Sequence, residues 1–390
     1  MRILHFCEAF SPLSETFIYD TYVGQLRSGM DVHLATLSRI DEARSPAEHV
    51  HVLRLPSRIH PARILAQVRG VARRLPVWER PFSIYSRALR HALKRLRPQL
   101  IHAHFGTGGV IAEQASRGLG IPLVVTMYGH DISRLPHEAR WRARYDVLFE
   151  RTGLLAVLSE DMRRAALKQG VKSTLVEVVH LARDIGALQF DERLCGVRKW
   201  LSVGRLVEKK GFDDAIRAVA LLRDRNVPIQ LEIIGNGPLM PKLLQLVTDL
   251  KLTGIVTLRG SLPNTEVVRA LREADAFVLC SKTARDGDQE GTPTVLIEAQ
   301  ALGLPCVSTR HAGIPEMFPA SSHWLLANEG AVAEVAERME RLTSLPPETR
   351  REVVRAGRTH VEQQFALDGQ VARYAALYQN VVTRVAERSR

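Results

Sequence analysis

Apolar runs of strand length and amphipathic helical stretches alternate along this 390-residue chain, in two successive series. The first series places strands at 3–6, 32–36, 100–103, 123–127, 154–158 and 176–179. These runs are continuously apolar rather than alternating, as parallel strands covered on both faces are. Between them "FIYDTYVGQLRSG" reads as a helix closed at Gly29, and "GGVIAEQASRGLG" as another. After the polar linker "DERLCGVRK", strands are expected at 200–203, 229–234, 255–258, 276–279 and 305–308. Helices are expected at 212–225, 238–250, 264–273 and 293–302, then at 330–343 and 347–390, broken by "SLPP". Strands alternating with helices imply right-handed βαβ crossovers. The expected fold class is therefore α/β: two Rossmann-like doubly wound parallel-sheet domains, 1–190 and 191–365, with a helix at 366–390 crossing back to the first. Ligands of such sheets sit beyond the carboxyl ends of the strands, so two of them facing each other would make a cleft.

Composition narrows the class. Apolar residues make up 45% and charged residues 25%, as in a soluble globular protein. No apolar run approaches the ~18–20 residues of a membrane span. The N-terminus "MRILHFCEAF" turns polar too soon for a secretory signal. Cys7, Cys195, Cys280 and Cys306 are scattered without close pairs, which speaks against a disulfide framework or a zinc site and fits a reducing cytosol. The net charge is +12, and residues 54–97 hold twelve Lys/Arg against one acid, Glu79. The rest of the chain is close to neutral, so an anionic partner is expected at that one segment.

Three motifs carry chemistry. In "WLSVGRLVEKKGFDDAI" a strand ends before Gly204-Arg205, and Lys210 precedes a helix start. Fixed cations beside helix N–H groups suit a diphosphate; the alternative is two solvated charges in a loop. "IIGNGPL" makes Gly235 part of a strand-to-helix turn where backbone can approach phosphate. In "DQEGTPTVLIE", Thr292 is expected to cap a helix with Pro293 at its first position. Glu290 then lies in the loop and Glu298 inside an otherwise apolar helix. Ionised carboxylates only accept hydrogen bonds, so they suit sugar hydroxyls: Glu290 a hexose, Glu298 a ribose. The alternative is two acids that face water.

In order, "SVGRLVEKKG", "IIGNGPL", "ADAFVLCS", "EGTPTVLIEAQALGLPCVST" and "AGIPE" resemble the motif series of the family 4 nucleotide-sugar glycosyltransferases. That resemblance implies the GT-B architecture, retention of configuration, no cofactor and no metal. The donor would be a UDP- or GDP-linked sugar. It makes Glu290 and Glu298 the family's two motif glutamates, and Arg205 and Lys210 its diphosphate-binding pair. Gly291, Thr292 and Pro293 become the backbone beside the phosphates. The turn Arg259-Gly260-Ser261-Leu262 sits where the family holds its nucleobase. Residues 1–190 then bind the acceptor and 191–365 the nucleotide-sugar.

In the first half, "SPLSETFI" (with Ser14, Glu15 and Thr16), "HAHFGTGG" and "VVTMYGHDIS" are similar to a subgroup of exopolysaccharide and colanic-acid-type enzymes. Many relatives carry His where this chain has Tyr128, so His130 or His104 is expected on the acceptor side in its place, or either is a structural histidine. The acceptor implied is a glycan or lipid-linked glycan. "HPARILAQVRGVARRLP" adds a candidate interfacial helix, which points to a protein on the inner face of an anionic membrane. A nucleotide-sugar epimerase, a phosphorylase or a non-catalytic basic nucleic-acid or membrane-binding protein are the alternatives. For nucleic acid, the basic block lacks interleaved aromatics beyond Trp78, Phe82 and Tyr85, and no zinc or helix-turn-helix signature appears.

Overall fold

The structure, a computed structural model, describes residues 1–10, 16–40, 49–55, 80–192 and 196–388. Ser14, Glu15, Cys195 and the expected interfacial helix lie outside the described residues. The chain divides into two compact units, Met1–Val179 with Gln370–Arg390, and His180–Gly369.

The first unit holds β1 (Ile3–Phe10), β2 (Val32–Arg39), β3 (Val50–Val52), β4 (Leu100–His104), β5 (Leu123–Thr126), β6 (Leu154–Val157) and β7 (Val176–Val178). All pair in parallel, in the order β3-β2-β1-β4-β5-β6-β7. Its helices are α1 (Thr16–Arg27), α2 (Arg80–Leu96), α3 (Phe105–Ser116), α4 (His130–Ser133), α5 (Ala139–Arg151) and α6 (Glu160–Lys168). The second unit holds β8 (Lys199–Val203), β9 (Gln230–Ile234), β10 (Val256–Leu258), β11 (Ala276–Leu279), β12 (Cys306–Thr309) and β13 (Leu326–Ala327). Their order is β10-β9-β8-β11-β12-β13, again all parallel. Around them lie α7 (Phe212–Asp224), α8 (Met240–Asp249), α9 (Asn264–Glu273), α10 (Thr294–Ala301), α11 (Val332–Ser344) and α12 (Pro347–Phe365).

Both sheets are doubly wound. Strand order reverses between β1 and β4 in one and between β8 and β11 in the other, and such a reversal opens the crevice where ligands bind. Two short edge strands, β3 and β13, were not legible as apolar runs. The helical stretch over 347–390 divides where the separate last helix was expected to begin: the chain turns extended at Ala366 (φ −72°, ψ 139°) before α13 (Leu367–Arg388). Tyr374, Tyr378 and Val381 of α13 belong to the first unit's core with Ile3, Phe10 and Tyr22. Among the described residues no helix is long and apolar enough to cross a membrane.

A buried polar chain threads the first sheet. Tyr128 meets His104 Nδ1 at 2.6 Å, His104 Nε2 meets His5 Nδ1 at 3.0 Å, and His5 Nε2 meets Gln25 Oε1 at 2.8 Å. Gln25 Nε2 donates to the Tyr378 hydroxyl, which lies 2.6 Å from His102 Nδ1, and His102 Nε2 reaches Thr126 at 2.7 Å. An amide oxygen only accepts, so His5 carries its hydrogen on Nε2. Its Nδ1 then accepts from His104, and His104 Nδ1 accepts from the Tyr128 hydroxyl. All three imidazoles are neutral links in one directed chain. Burial pushes the His5 ring down to about 4 from 6.5, against the opposing hydrogen bond to Gln25. Burial also holds His102 and His104 well below the ordinary value.

A histidine with a depressed folded-state pKa stabilises the fold above its unfolded value, and that contribution is lost as pH falls. Thermal unfolding followed against pH should therefore show the melting temperature beginning to drop as pH falls through 6.5 toward 4, before most carboxylates protonate. A flat melting temperature across that window would contradict the neutral chain.

Candidate functional site

The second sheet's carboxyl edge is assembled by backbone contacts that need glycine. Gly204 N–H donates to the Ile234 carbonyl, Leu206 N–H to that of Asn236, and Gly235 N–H to that of Gly260. The turns after β8, β9 and β10 are thereby stitched side by side. Gly235 has φ +149°, and a Cβ there would come within 1.8 Å of the Gly204 carbonyl oxygen. Gly211 ends the single turn 208–210 at φ +62°, and its Cβ would come within 1.7 Å of the Cys280 carbonyl oxygen. That close approach brings the "EKKG" turn onto the end of β11, at the point where strand order reverses.

Two consecutive lysines from that turn bind two acids of the loop before α10. Lys209 Nζ lies 3.1 Å from Asp288 Oδ1 and 3.0 Å from the Gln289 carbonyl. Lys210 Nζ lies 2.7 Å from Glu290 Oε2. Burial alone would raise the Glu290 pKa, but Lys210 and Lys209 more than offset it, and the carboxyl is held below its ordinary value. Glu290 Oε2 is buried and, apart from this ion contact, makes no hydrogen bond among the described residues. Ammonium groups carry three donors, so Lys210 can serve Glu290 and a second anion together. Arg205, one residue beyond Gly204, is exposed and has no carboxylate in ion-pair range among the described residues. Lys282, at the end of β11, is taken up by Asp213 and Asp214 of α7 at 2.9 and 2.8 Å. Of these cations, Arg205 is thus the one without an acid partner among the described residues, and Lys210 keeps donors beside Glu290.

The loop before α10 is fixed from beneath. Glu290 N–H donates to His311 Nε2 at 3.0 Å, and His311 Nδ1 lies 2.6 Å from Glu329 Oε1. Glu329 also accepts from Thr283 N–H at 2.9 Å. Sequence reasoning missed Lys209, Asp288, His311 and Glu329. The "EKKG" spacing held a signal for Lys209, but His311 acts on a backbone group 21 residues away, which no local pattern records.

One expectation about α10 changes and one alternative falls. Thr292 is not the cap: the helix begins at Thr294, and Pro293 occupies the cap position (φ −72°, ψ 96°) with no side-chain hydrogen bond. Proline has no N–H and fixes its own φ, so the extended entry extends through it. The alternative that Glu298 faces water is excluded: it is 6% exposed, with Arg183 Nη2 2.5 Å from Oε1. Gly291, Thr292 and Pro293 are buried beside Glu290. Gly260 of the 259–262 turn joins the edge through Gly235, while Arg259 is exposed and pairs with Glu232 at 3.2 Å. Ser261 is exposed and Leu262 half-buried.

In the first unit, Thr16 opens α1 and His130 opens α4, with the His130 ring exposed. His104 is 1% exposed with both ring nitrogens engaged, so it is a link in the buried chain rather than an open group. The loop between Tyr128 and His130 is tied down by Asp131, whose carboxylate accepts from Tyr128, Gly129 and Gly106 N–H. His5, His102 and His104 are the one group of three that could hold a metal among the described residues. All six of their ring nitrogens already have hydrogen-bond partners, so a metal would have to displace them.

The chain is similar in sequence and in fold to known proteins. Residues 195–360 match the model of the glycosyl transferases group 1, and residues 14–182 that of a glycosyl transferase 4-like domain. The chain is 33% identical over 276 residues to WcaL of Escherichia coli K12, a glycosyltransferase assigned to colanic acid biosynthesis, covering 69% of this chain and 67% of WcaL. It is 35% identical to the amylovoran biosynthesis glycosyltransferase AmsK of Erwinia amylovora, covering 67% and 65%. Among solved structures, Anabaena HepE in complex with UDP and glucose superposes with a TM-score of 0.74 at 17% identity, covering 97% of this chain and 99% of HepE. Sucrose-phosphate synthase of Thermosynechococcus elongatus gives 0.77 at 15% identity, covering 98% and 100%. These structural likenesses are likenesses of fold, that of two parallel-sheet α/β domains.

Removing one partner of a buried ion pair strands the other charge. Arg183→Met should therefore destabilise the chain by about 3–5 kcal/mol, read as a shift in the denaturant midpoint. A change within experimental error would mean that Glu298 does not depend on Arg183.

Proposed function

We propose, from the premise that this chain belongs to the glycosyl transferases of group 1, that it moves a hexose from a UDP- or GDP-linked sugar to a glycan or lipid-linked acceptor in cell-surface polysaccharide synthesis. The second unit takes the donor and the first unit the acceptor. The observation that carries the reading is the Lys210–Glu290 ion contact where strand order reverses in the second sheet, with Arg205 next in the chain to Gly204, which packs against the Lys210 side chain. Homology to the colanic acid and amylovoran enzymes supports the polysaccharide setting.

In this reading Arg205, Lys210 and the N–H groups at the start of α10 receive the diphosphate. Gly204, Gly235 and Gly291 to Pro293 give backbone room beside it, and the 259–262 turn receives the base. Glu290, ionised and tied to Lys210, accepts from hexose hydroxyls, and Glu298, anchored by Arg183, from the ribose. Transfer retains configuration. The bond from the anomeric carbon to the diphosphate oxygen breaks, and its electron pair leaves with the diphosphate. The acceptor oxygen bonds to the same face, and its proton passes to a diphosphate oxygen. Stabilising charge that develops on the leaving group is usually the largest catalytic term, and here it falls to Arg205 and Lys210, so the scheme calls for no metal. His130 and Thr16 are assigned to the acceptor side. The basic segment 54–97 holds the protein to an anionic membrane surface on its inner face.

Losing one transition-state donor typically costs on the order of 10²–10³ in kcat. Arg205→Ala should show a loss of that size at saturating donor, with nucleoside diphosphate released only when acceptor is present. Undiminished turnover would remove Arg205 from the site, and sugar conversion without acceptor would point to an epimerase.

A further inference from the structure

A cavity of about 610 Å³ opens in the first unit, away from every residue placed above in the donor or acceptor site. One wall is α2. Ile84, Ala88 and Ala92 recur every four residues along it and form an apolar stripe; Arg87, His91 and Arg95 form a basic stripe beside it. The other wall is the chain leaving β3, from His51 to Arg54. Leu53, Ile84 and Ala92 are buried, while Arg54, Arg87 and Arg95 are exposed. Among the described residues no acid lines the cavity, and α2 itself contains none. None of these three arginines has a carboxylate in ion-pair range among the described residues. By contrast Arg90, on the same helix, is spent on the carbonyls of Ala115 and Arg117.

One of the three cations is also held in place. Arg95 Nη2 lies 3.5 Å from His51 Nδ1, His51 Nε2 lies 3.1 Å from His33 Nδ1, and His33 Nε2 lies 3.2 Å from Asp31. Asp31 accepts, so His33 donates from Nε2 and accepts at Nδ1 from His51, whose own Nδ1 then faces the arginine as an acceptor. A chain of neutral rings thus runs from the sheet to the Arg95 guanidinium. Three guanidiniums with no counter-charge, over an apolar stripe, match an anion with a hydrocarbon tail: guanidinium recognises phosphate through paired N–H donors. The cavity lies within the volume range of small-ligand sites, ~300–1,000 Å³.

We propose that this cavity binds the phosphate of a single phosphate-bearing lipid, with Arg54, Arg87 and Arg95 on the phosphate and the Ile84–Ala88–Ala92 stripe against the first carbons of the tail. The inference rests on the membrane reading above and sharpens it from a diffuse basic surface to one site.

The test uses the full-length chain in flotation with phosphatidylcholine vesicles carrying either phosphatidylglycerol or a polyprenyl phosphate, and in titration with soluble dihexanoyl phosphatidic acid and with inorganic phosphate. Arg87→Gln/Arg95→Gln removes two cavity charges; Lys94→Gln/Arg97→Gln removes two neighbouring charges outside it. Binding to phosphatidylglycerol vesicles identifies a bulk membrane lipid, and binding to the polyprenyl phosphate alone identifies the acceptor's carrier. In either case the cavity variant should lose on the order of tenfold more binding than its control, since cationic side chains near an anionic surface contribute alike unless a site selects among them. Dihexanoyl phosphatidic acid should bind more tightly than inorganic phosphate. Equal loss in the two variants overturns the cavity and leaves the membrane reading standing. Binding of the soluble lipid without vesicle binding overturns the membrane reading and leaves the cavity. Binding of neither overturns both.

Discussion

The second unit's chemistry depends on the passage of Gly211 across the Cys280 carbonyl. A side chain at that position would overlap the carbonyl oxygen, and the left-handed backbone there is one that glycine adopts without strain. With it, the turn that precedes α7 packs onto the end of β11, and Lys209 and Lys210 point together at Asp288 and Glu290. Without it, two largely buried ammonium groups would have no acids to meet. Half-paired buried charges cost several kcal/mol, so the crossing and the ion pairs stand or fall together.

The two lysines divide the work. Lys209 is consumed by Asp288 and a carbonyl and fixes the loop. Lys210 holds Glu290 and keeps donors for a second anion. His311 and Glu329 hold the same loop by its backbone. Glu290 is thereby fixed in position with its carboxyl pKa held below the ordinary value, and Arg205 is left exposed, with no carboxylate in ion-pair range among the described residues. In the first unit the chain from Tyr128 to Thr126 passes through His5 of β1 and His102 and His104 of β4, the strands between which the order reverses. That chain keeps three histidines neutral, and by engaging both ring nitrogens of His104 it decides for the structural one of the two readings left open for that residue.

The alternation of apolar runs made both parallel sheets legible, because strands buried on both faces are mostly apolar at every position, with exceptions such as His5 and His102. Most strand limits came within one or two residues. β3 and β13 were too short to stand out. The glycine-rich turns, Arg205, Lys210 and Glu290 could be picked out because each stands at the end of a strand or the start of a helix. The partners could not. Arg183 lies far from Glu298 in sequence, His311 binds a backbone N–H, and Lys209 looks like a solvated neighbour of Lys210 until the fold turns it inward. Thr292 met the rule for a helix cap, yet Pro293 shifted the cap by one residue. Local rules gave the elements; long-range pairing decided which side chains were spent and which remained.

Hydrogen–deuterium exchange of the full-length chain, with and without a saturating nucleoside-diphosphate hexose found among UDP- and GDP-linked sugars, tests the donor site most directly. Donor should slow exchange in three stretches of the second unit together: 204–211, 235–239 and 289–296. A donor that binds while these stretches exchange unchanged, with protection elsewhere, would contradict a nucleotide-sugar site built on Arg205, Lys210 and Glu290.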